Sequence, residues 1–330
     1  MTSGEGAGDD WGDPAELVRK ILRDDPVFLA GEVAEEAGIP LEQARRLWRA
    51  LGFPEAEGAR VYTRSDAAAL SRLAEVVDAG LLDFDLAVTL TRALGQTMAR
   101  LADWEVGALV HRVEELESGD QATGSRMGSG VRMLDELSED FEDLMVYSWR
   151  RHLSAAVSRI VALGEANLHT TQLSVGFADI VSFTALSNEL SRDRIGDLVE
   201  VFESRCADVV SSQSGRLIKS IGDSVLFVND DPIRAYDTAE GIINVIGRDS
   251  RMPDVRVGIA SGLVVMRLGD VFGPPVNMAA RLTAVARRNR IIIDSATAAL
   301  LPEDRFETRR LPARPVRGFG LVEPVAVRRT

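Results

Sequence analysis

Five polar residues in the second half of this 330-residue sequence have types and spacings suited to chemistry at phosphorus. They are Asp179 at the end of an apolar run, Lys219 and Asp223 four residues apart, and Asn277 and Arg281 four residues apart. Carboxylates bind hard divalent cations, while lysine and arginine bind phosphate oxygens. The combination indicates a site for an anionic ligand and a metal ion.

Lysine is rare in this sequence. Of 38 basic residues only Lys20 and Lys219 are lysines, and the rest are arginines. A lysine in such a background indicates a position that needs a compact, rotatable ammonium in place of a planar guanidinium. The alternative is that Lys219 is a chance replacement, and the neighbouring motifs argue against it.

Asp179 and Asp223 are the candidate metal ligands. Asp179 follows an apolar strand pattern, and Gly222-Asp223 has the composition of a two-residue hairpin turn. Neighbouring strands would then present both carboxylates at one edge of a sheet. Two Mg²⁺ or Mn²⁺ ions held there could clamp the attacking and leaving oxygens of an in-line displacement. The alternative is that both are ordinary loop aspartates.

Two predicted helices carry further candidate ligands. The segment from Ile180 to Thr184 leads into one of them, where backbone amides could hold phosphate oxygens, so Phe183 and Thr184 are candidate substrate contacts. Thr184 has the alternative role of a helix N-cap. Asn277 and Arg281, four positions apart on the other helix, would face the same side, as a shared ligand requires.

The second half has short strand patterns separated by helical ones. The predicted strands are Leu173–Ala178, Leu217–Ile221, Ser224–Val228, Val255–Ala260, Leu263–Leu268 and Ile291–Asp294, and the predicted helices are Asp193–Val210, Ile233–Ile246 and Val276–Ala286. The order strand-helix-strand-strand-helix-strand predicts a ferredoxin-like βαββαβ domain, and therefore an α+β fold for the chain.

The first half has apolar residues at the three-and-four spacing of helices. The predicted helical runs are Leu17–Leu22, Val33–Ala37, Ala44–Leu51, Ala67–Val77 and Leu86–Leu101. Within them, Leu29–Gly52 predicts a helix-turn-helix with Gly38 at the turn and Pro40 opening the second helix. DNA binding is disfavoured because acids surround the arginines of that helix, which are Arg45, Arg46 and Arg49.

The net charge of −13 is shared unevenly. Residues 1–170 hold 31 acids and 17 bases, whereas residues 171–330 hold 20 acids and 21 bases. This division indicates that only the second half handles an anionic ligand. No apolar run is long enough for a membrane span, and the acidic N-terminus lacks the pattern of a secretion signal. We therefore expect a cytoplasmic protein.

Length and composition predict two domains joined by a linker. We expect a disordered tail at 1–12, a helical regulatory domain at 13–130, a helical linker at 131–168 and a catalytic domain at 169–330. The change to Ser, Gly, Asp, Gln and Thr at 117–130 predicts a flexible connection. Helical spacing returns from 131 to 165.

The second half resembles the class III nucleotidyl cyclases, which convert a nucleoside triphosphate to its 3′,5′-cyclic monophosphate and pyrophosphate. The resemblance covers roughly residues 171–330 and rests on three segments in the order and spacing of that family. They are Phe177-Ala-Asp-Ile-Val-Ser-Phe-Thr184, Lys219-Ser-Ile-Gly-Asp223 and Gly269-Asp-Val-Phe-Gly-Pro-Pro-Val-Asn-Met-Ala-Ala-Arg281.

The resemblance implies a role for each candidate residue. Two Mg²⁺ or Mn²⁺ ions would be held by Asp179, Asp223 and the carbonyl of Ile180. The base would be read by Lys219 and Asp270, and the ribose would be oriented by Asn277. Arg281 would stabilise the transferring phosphorus, and Arg317 would bind the triphosphate where the family often has a lysine.

A lysine can donate to the ring nitrogen of adenine and an aspartate can accept from its exocyclic amine, whereas guanine presents the reverse pattern. The Lys219 and Asp270 pair therefore predicts an adenylate cyclase acting on ATP, with a guanylate cyclase as the alternative. For Asp270 alone, a turn residue is the other interpretation. In the family, one chain supplies the two aspartates and its partner supplies the remaining residues. Both sets are present here, which implies a head-to-tail homodimer.

The first half resembles the regulatory segment of soluble actinobacterial cyclases, some of which respond to pH. This resemblance implies autoinhibition by separation of the two contributing surfaces. The histidines are His111, His152 and His169, and His152 in the linker helix could change charge near neutral pH. A small-molecule or lipid effector among the helices is equally open. A rival hypothesis is a helix-turn-helix transcription regulator whose cyclase-like domain only binds nucleotide.

Overall fold

The computed structural model describes residues 14–56, 58–119, 122, 124–163, 170–267 and 269–330. The predicted tail at 1–12 and His169 lie outside the described residues. The chain divides into two compact units, Met1–Ala155 and Ala156–Thr330. No described helix is both long enough and apolar enough to cross a membrane.

The N-terminal unit is helical, as its apolar spacing predicts. Its helices are α1 (Pro14–Leu22), α2 (Ala30–Glu36), α3 (Leu41–Leu51), α4 (Arg64–Asp78), α5 (Phe84–Glu117) and α6 (Arg126–Leu163), the last of which contains the unit boundary. Polar caps fix where helices begin, because the Thr63 side chain accepts from Asp66 N and Asp83 accepts from Leu86 N. The core of the unit contains Trp48, which stacks on Tyr62 with ring centroids 4.3 Å apart.

Helices α2 and α3 form the predicted helix-turn-helix, with Gly38 in the turn and Pro40 as the N-cap of α3. Each arginine that could have contacted DNA is paired with an acid of the same unit: Arg45 with Glu42, Arg46 with Asp85 and Arg49 with Glu55. These surface ion pairs offset the positive charge of the three arginines.

The connection between α5 and α6 is shorter than the sequence suggests. The composition of residues 117–130 predicts a flexible stretch, but α6 already begins at Arg126. The buried Ser129 hydroxyl donates to Glu117 Oε1 at 2.6 Å and so ties the first turn of α6 to the end of α5. This contact between elements outweighs the low helix propensity of the Gly and Ser residues.

The C-terminal unit is a mixed sheet covered by helices. Its strands are β1 (Thr170–Ile180), β2 (Arg216–Ile221), β3 (Ser224–Asn229), β4 (Val255–Arg267), β5 (Asp270–Phe272), β6 (Ile291–Ile293), β7 (Phe306–Arg310), β8 (Arg314–Val316), β9 (Gly320–Val322) and β10 (Val325–Arg329). Its helices are α7 (Phe183–Glu189), α8 (Arg192–Ser212), α9 (Pro232–Gly247), α10 (Pro274–Val285) and α11 (Ser295–Leu300).

The ferredoxin-like arrangement is confirmed. The main sheet has the order β2-β3-β1-β4-β6-β10-β7, and its first four strands with α8 and α9 form the predicted βαββαβ unit. Short strands β5 and β7 to β10 were not predicted. Most of their side chains are at least partly exposed, so they lack the apolar runs on which the strand prediction depends.

One pair of predicted strands is a single strand in the structure. The sequence predicts separate strands at Val255–Ala260 and Leu263–Leu268, but β4 runs without a break from Val255 to Arg267. Gly262 lies within this strand and leaves room for Pro275 of α10, since a Cβ added there would lie 2.9 Å from Pro275 Cγ. The glycine marks a close approach of a helix and does not end the strand.

Helix α10, which carries Asn277 and Arg281, packs directly on β1 and β4. A Cβ added at Gly258 of β4 would lie 2.3 Å from Thr283 N, so the glycine allows the helix backbone to approach the sheet. The Thr283 hydroxyl is 3.2 Å from the carbonyl oxygen of Phe177 in β1. The sheet therefore sets the position of both candidate catalytic side chains.

Candidate active site

The two candidate metal ligands lie side by side. Asp179 in β1 is the cross-strand partner of Ser224, the first residue of β3, and Asp223 precedes Ser224 in the turn. The backbone N–H of Ile180 donates to the carbonyl oxygen of Asp223 at 3.1 Å. The Gly222-Asp223 hairpin turn is confirmed, and φ of +61° at Gly222 is a conformation that glycine adopts without strain.

The two carboxylates differ in their surroundings. Burial raises the pKa of Asp223 above its usual range, and the negative charge of Asp179 adds to this effect, whereas Arg256 opposes it. Asp179 is held by two side chains: the Ser224 hydroxyl contacts Oδ1, and Arg256 Nε donates to Oδ2 at 2.8 Å. Arg256 Nη2 is 2.6 Å from the same oxygen.

Sequence reasoning missed Arg256 and Ser224. The available signal was a charged residue inside the apolar run Val255-Arg256-Val257, on a strand buried at most of its positions. Which strand faces Arg256, and in which register, is not visible from the sequence.

The oxygens present suit Mg²⁺ or Mn²⁺. Among the described residues no group of three or more His, Cys, Asp or Glu side chains converges on one point. At this site the described residues would offer the carboxylates of Asp179 and Asp223, with a backbone carbonyl such as that of Ile180. Magnesium typically binds in this way, through one or two carboxylates, with water and substrate phosphates as the remaining ligands.

Lys219 and Asp270 form an ion pair. Lys219 Nζ in β2 lies 2.5 Å from Asp270 Oδ2 at the start of β5. Burial acts to raise the pKa of Asp270, but the Lys219 ammonium and the N–H of Val271 together hold it below its usual value. The side chains keep 35% and 26% of their surface exposed, so a ligand can reach both.

Asn277, Arg281 and Arg317 line one open cavity of about 620 Å³. Asn277 and Arg281 come from α10, whereas Arg317 and the aromatic Phe319 come from the turn between β8 and β9. None of the described residues that line this cavity is a carboxylate. One chain therefore offers a cationic and amide-bearing surface there without the aspartate pair.

The segment after Asp179 differs in detail from the expectation. Helix α7 begins at Phe183 and its N-cap is Ser182, so Thr184 is the second helical residue and is not the cap. The Phe183 side chain packs against the main apolar cluster of the unit, and Thr184 is exposed. Contacts from this segment to a phosphate would therefore come from its backbone amides.

The N-terminal unit contains a second cavity, of about 740 Å³, between α1, α5 and α6. Its apolar wall includes Trp104, Leu134, Phe141 and Met145. Ion pairs at its rim join α1 and the turn that follows it to α6: Lys20 to Asp135 and Arg23 to Glu142. His152 lies on an exposed face of α6, and His111 Nε2 is 3.5 Å from Glu115.

Comparison with known proteins gives two family matches. Residues 166–327 match the family described as "Adenylate and Guanylate cyclase catalytic domain". Residues 15–117 match the family described as "Adenylate cyclase regulatory domain". The two matches fall on the predicted catalytic and regulatory halves.

Named relatives are similar over most of this chain. A protein named adenylate cyclase from Streptomyces coelicolor is 37% identical over 321 residues, which cover 89% of this chain and 84% of the relative. One with the same name from Glutamicibacter nicotianae is 36% identical over 328 residues, covering 94% and 81%. The crystal structure of the catalytic core of a rhodopsin-guanylyl cyclase with converted specificity, in complex with ATPalphaS, is 24% identical with a TM-score of 0.47 and covers 50% of this chain and 100% of that one.

Proposed function

Because the chain belongs to the adenylate and guanylate cyclase family, we propose that it is an adenylate cyclase that converts ATP to 3′,5′-cyclic AMP and pyrophosphate. The observation that carries the choice of ATP is the ion pair of Lys219 with Asp270. The Lys219 ammonium can donate to N1 of adenine, and the Asp270 carboxylate can accept from its N6 amine. Guanine would place a donor against the donor and an acceptor against the acceptor, which is costly in a desolvated site.

The remaining residues bind and orient the ribose and the triphosphate. Asn277 orients the ribose so that its 3′ hydroxyl faces the α-phosphorus, and Arg281 stabilises the negative charge that develops there. Arg317 holds the outer phosphates, and the amides of Phe183 and Thr184 add phosphate contacts. The cavity that brings Asn277, Arg281 and Arg317 together supports this division.

Asp179, Asp223 and the carbonyl of Ile180 would hold two divalent ions, Mg²⁺ or Mn²⁺. When bound, such ions would supply positive charge that lowers the pKa of the attacking hydroxyl and neutralises the leaving pyrophosphate. The two carboxylates provide the fixed negative charge that attracts these ions to the end of β1. No covalent intermediate with a side chain is required, because the hydroxyl displaces pyrophosphate directly.

We further propose that the enzyme is a head-to-tail homodimer. The surface formed by Asn277, Arg281 and Arg317 lacks a carboxylate among its described lining residues, so the aspartate pair of a second copy would complete it. Each dimer would then contain two equivalent sites, as two-fold symmetry requires.

The decisive test is an assay of the purified chain with ATP or GTP and with Mg²⁺ or Mn²⁺. Cyclic AMP and pyrophosphate in equal amounts, lost in Asp179→Asn, are the expected result. Cyclic GMP as the main product would support the alternative, a guanylate cyclase. Nucleotide binding without pyrophosphate release would support the transcription-regulator hypothesis, which a gel-shift assay would examine. The acid partners of Arg45, Arg46 and Arg49 argue against that hypothesis.

For the N-terminal half we propose regulation of the catalytic half, with domains at 13–130 and 169–330 and the linker between them. The apolar cavity between α1, α5 and α6 is the proposed site of a small-molecule or lipid effector. A pH response through His152, which lies on an exposed face of α6, is the second proposal. The proposed location is the cytoplasm, where ATP is available. Cyclic AMP would be the signal that the enzyme produces there.

Regulation is tested by comparing the full chain with residues 156–330, whose apolar clusters belong entirely to that unit. A higher rate or a different pH profile in the shorter chain is expected from autoinhibition. Identical rates and profiles would contradict it. In the full chain, the His152→Gln variant tests whether the histidine contributes to regulation. The Ala108→Phe variant fills the cavity and tests whether the cavity contributes.

A further inference from the structure

Arg256 is built into the candidate metal site by the register of the sheet. Asp179 of β1 is the direct cross-strand partner of Arg256 in β4 and also of Ser224 in β3. The contact of Arg256 with Asp179 Oδ2, at 2.8 Å from Nε and 2.6 Å from Nη2, therefore follows from strand pairing. The two side chains retain only 28% and 16% exposure, so solvent screens this pair less than a surface ion pair.

The guanidinium has a second anchor. Arg256 Nη1 is 3.3 Å from the carbonyl oxygen of Ala284, in the last turn of α10. The C-terminal end of a helix carries partial negative charge and favours a cation. Arg256 is thus a fixed positive charge beside Asp179, and the group of Asp179, Asp223 and Arg256 has one net negative charge.

This fixed charge changes what the site can bind. Arg256 contacts Oδ2, one of the two oxygens through which Asp179 could bind a metal ion, and its charge would repel a divalent ion at the short distances involved. An anionic triphosphate relieves both effects, because a guanidinium binds phosphate oxygens at least as well as a carboxylate. Metal and nucleotide would then raise each other's affinity by the same factor.

We propose that Arg256 keeps the affinity of the aspartate pair for divalent ions low until the phosphates of a nucleoside triphosphate bind the Arg256 guanidinium. The inference rests on the proposed function, since it takes Asp179 and Asp223 as the metal ligands. It assigns to Arg256 the coupling of metal binding to nucleotide binding.

The test is Mn²⁺ binding to the full chain in the absence of nucleotide, followed by the electron paramagnetic resonance signal of free Mn²⁺. Removal of the charge in Arg256→Gln should tighten Mn²⁺ binding roughly tenfold or more, as expected from Coulomb repulsion in a partly buried site. Arg256→Lys, which keeps the charge, should stay within about threefold of wild type. Arg251→Gln, which removes an exposed arginine paired with Asp249, should not change the affinity.

Coupling is measured with 3′-deoxy-ATP, which lacks the attacking hydroxyl. Its affinity should rise on addition of Mn²⁺ by a larger factor in wild type than in Arg256→Gln. The inference would be overturned if a folded Arg256→Gln protein bound Mn²⁺ no more tightly than wild type. It would also be overturned if Arg256→Lys and Arg256→Gln bound Mn²⁺ with the same affinity. Should wild type bind no Mn²⁺ even with 3′-deoxy-ATP, the metal assignment itself fails, and this result is distinct from the others.

Discussion

Lys219 Nζ and Asp270 Oδ2 lie 2.5 Å apart although 51 residues separate them in the sequence. The ammonium and carboxylate thus stand ready as one donor and one acceptor, held by β2 and by the start of β5. A pair of this kind can match a base that offers one acceptor next to one donor.

We expect the pair to set the choice of base. Lys219→Met and Asp270→Asn should each lower the ratio of kcat/KM for ATP to that for GTP by roughly tenfold to a hundredfold, because a polar group of the base or the site is left without its partner. The matched control is Lys20→Met, which removes the other lysine and its ion pair with Asp135. An unchanged ATP to GTP ratio in both site variants would contradict base recognition by this pair.

Complementation should reveal sites shared between chains. Asp179→Ala and Arg281→Ala should each be inactive alone, since one removes a metal ligand and the other the cation at phosphorus. Random mixing of the two would give one intact site in each heterodimer, and hence about a quarter of wild-type activity per chain. Mixing Asp179→Ala with Asp223→Ala is the control and should restore nothing. Persistent inactivity of the first mixture, with dimers present, would argue for sites within single chains.

The position of α10 should depend on Gly258. A Cβ at this residue would meet backbone atoms of α10 at 2.3 and 2.5 Å, so Gly258→Ala must displace the helix that carries Asn277 and Arg281. We expect a loss of about 1–3 kcal/mol in the free energy of unfolding, together with a fall in kcat that exceeds any rise in KM.

Gly196→Ala is the control for this substitution. Gly196 lies in α8 with nothing within 4 Å of an added Cβ, so alanine should slightly stabilise the helix. Both properties are measured by urea unfolding and by initial rates. Normal kcat in Gly258→Ala would show that the approach of α10 to β4 does not position the catalytic side chains.

Alkaline stability should depend on Tyr236. Burial, and then the hydrogen bond that its hydroxyl donates to Glu240, raise the pKa of Tyr236 to about 12. The unfolded chain has an ordinary value of about 10. A raised folded pKa means that this contribution to stability is complete below pH 10 and is lost between pH 10 and 12.

The free energy of unfolding should therefore fall less steeply between pH 10 and 12 in Tyr236→Phe than in wild type. Tyr147→Phe, at an exposed position of α6, should keep the wild-type slope. The sequence has only three tyrosines and two lysines, so few other groups titrate in this window. Equal slopes in all three proteins would show that Tyr236 is not the group responsible.

Local sequence patterns were enough to predict most elements and the segments that carry the site. Apolar periodicity predicted the helices of the first half and the βαββαβ order of the second, because the burial of one face repeats along each element. The turn at Gly222-Asp223 was predictable for the same local reason, since few residues suit that backbone conformation. The site residues were found through three segments whose order and spacing match a known family.

Which side chains meet depends on how distant segments pair in three dimensions. The strand register places Arg256 opposite Asp179, and no property of either segment specifies that pairing. Strand β4 runs unbroken through Gly262, where α10 approaches too closely for a Cβ, whereas the sequence predicted two separate strands. The cavity that joins Arg317 to α10 likewise requires the hairpin of β8 and β9 to lie beside a distant helix. These relationships depend on contacts between residues far apart in the chain, which local propensity does not encode.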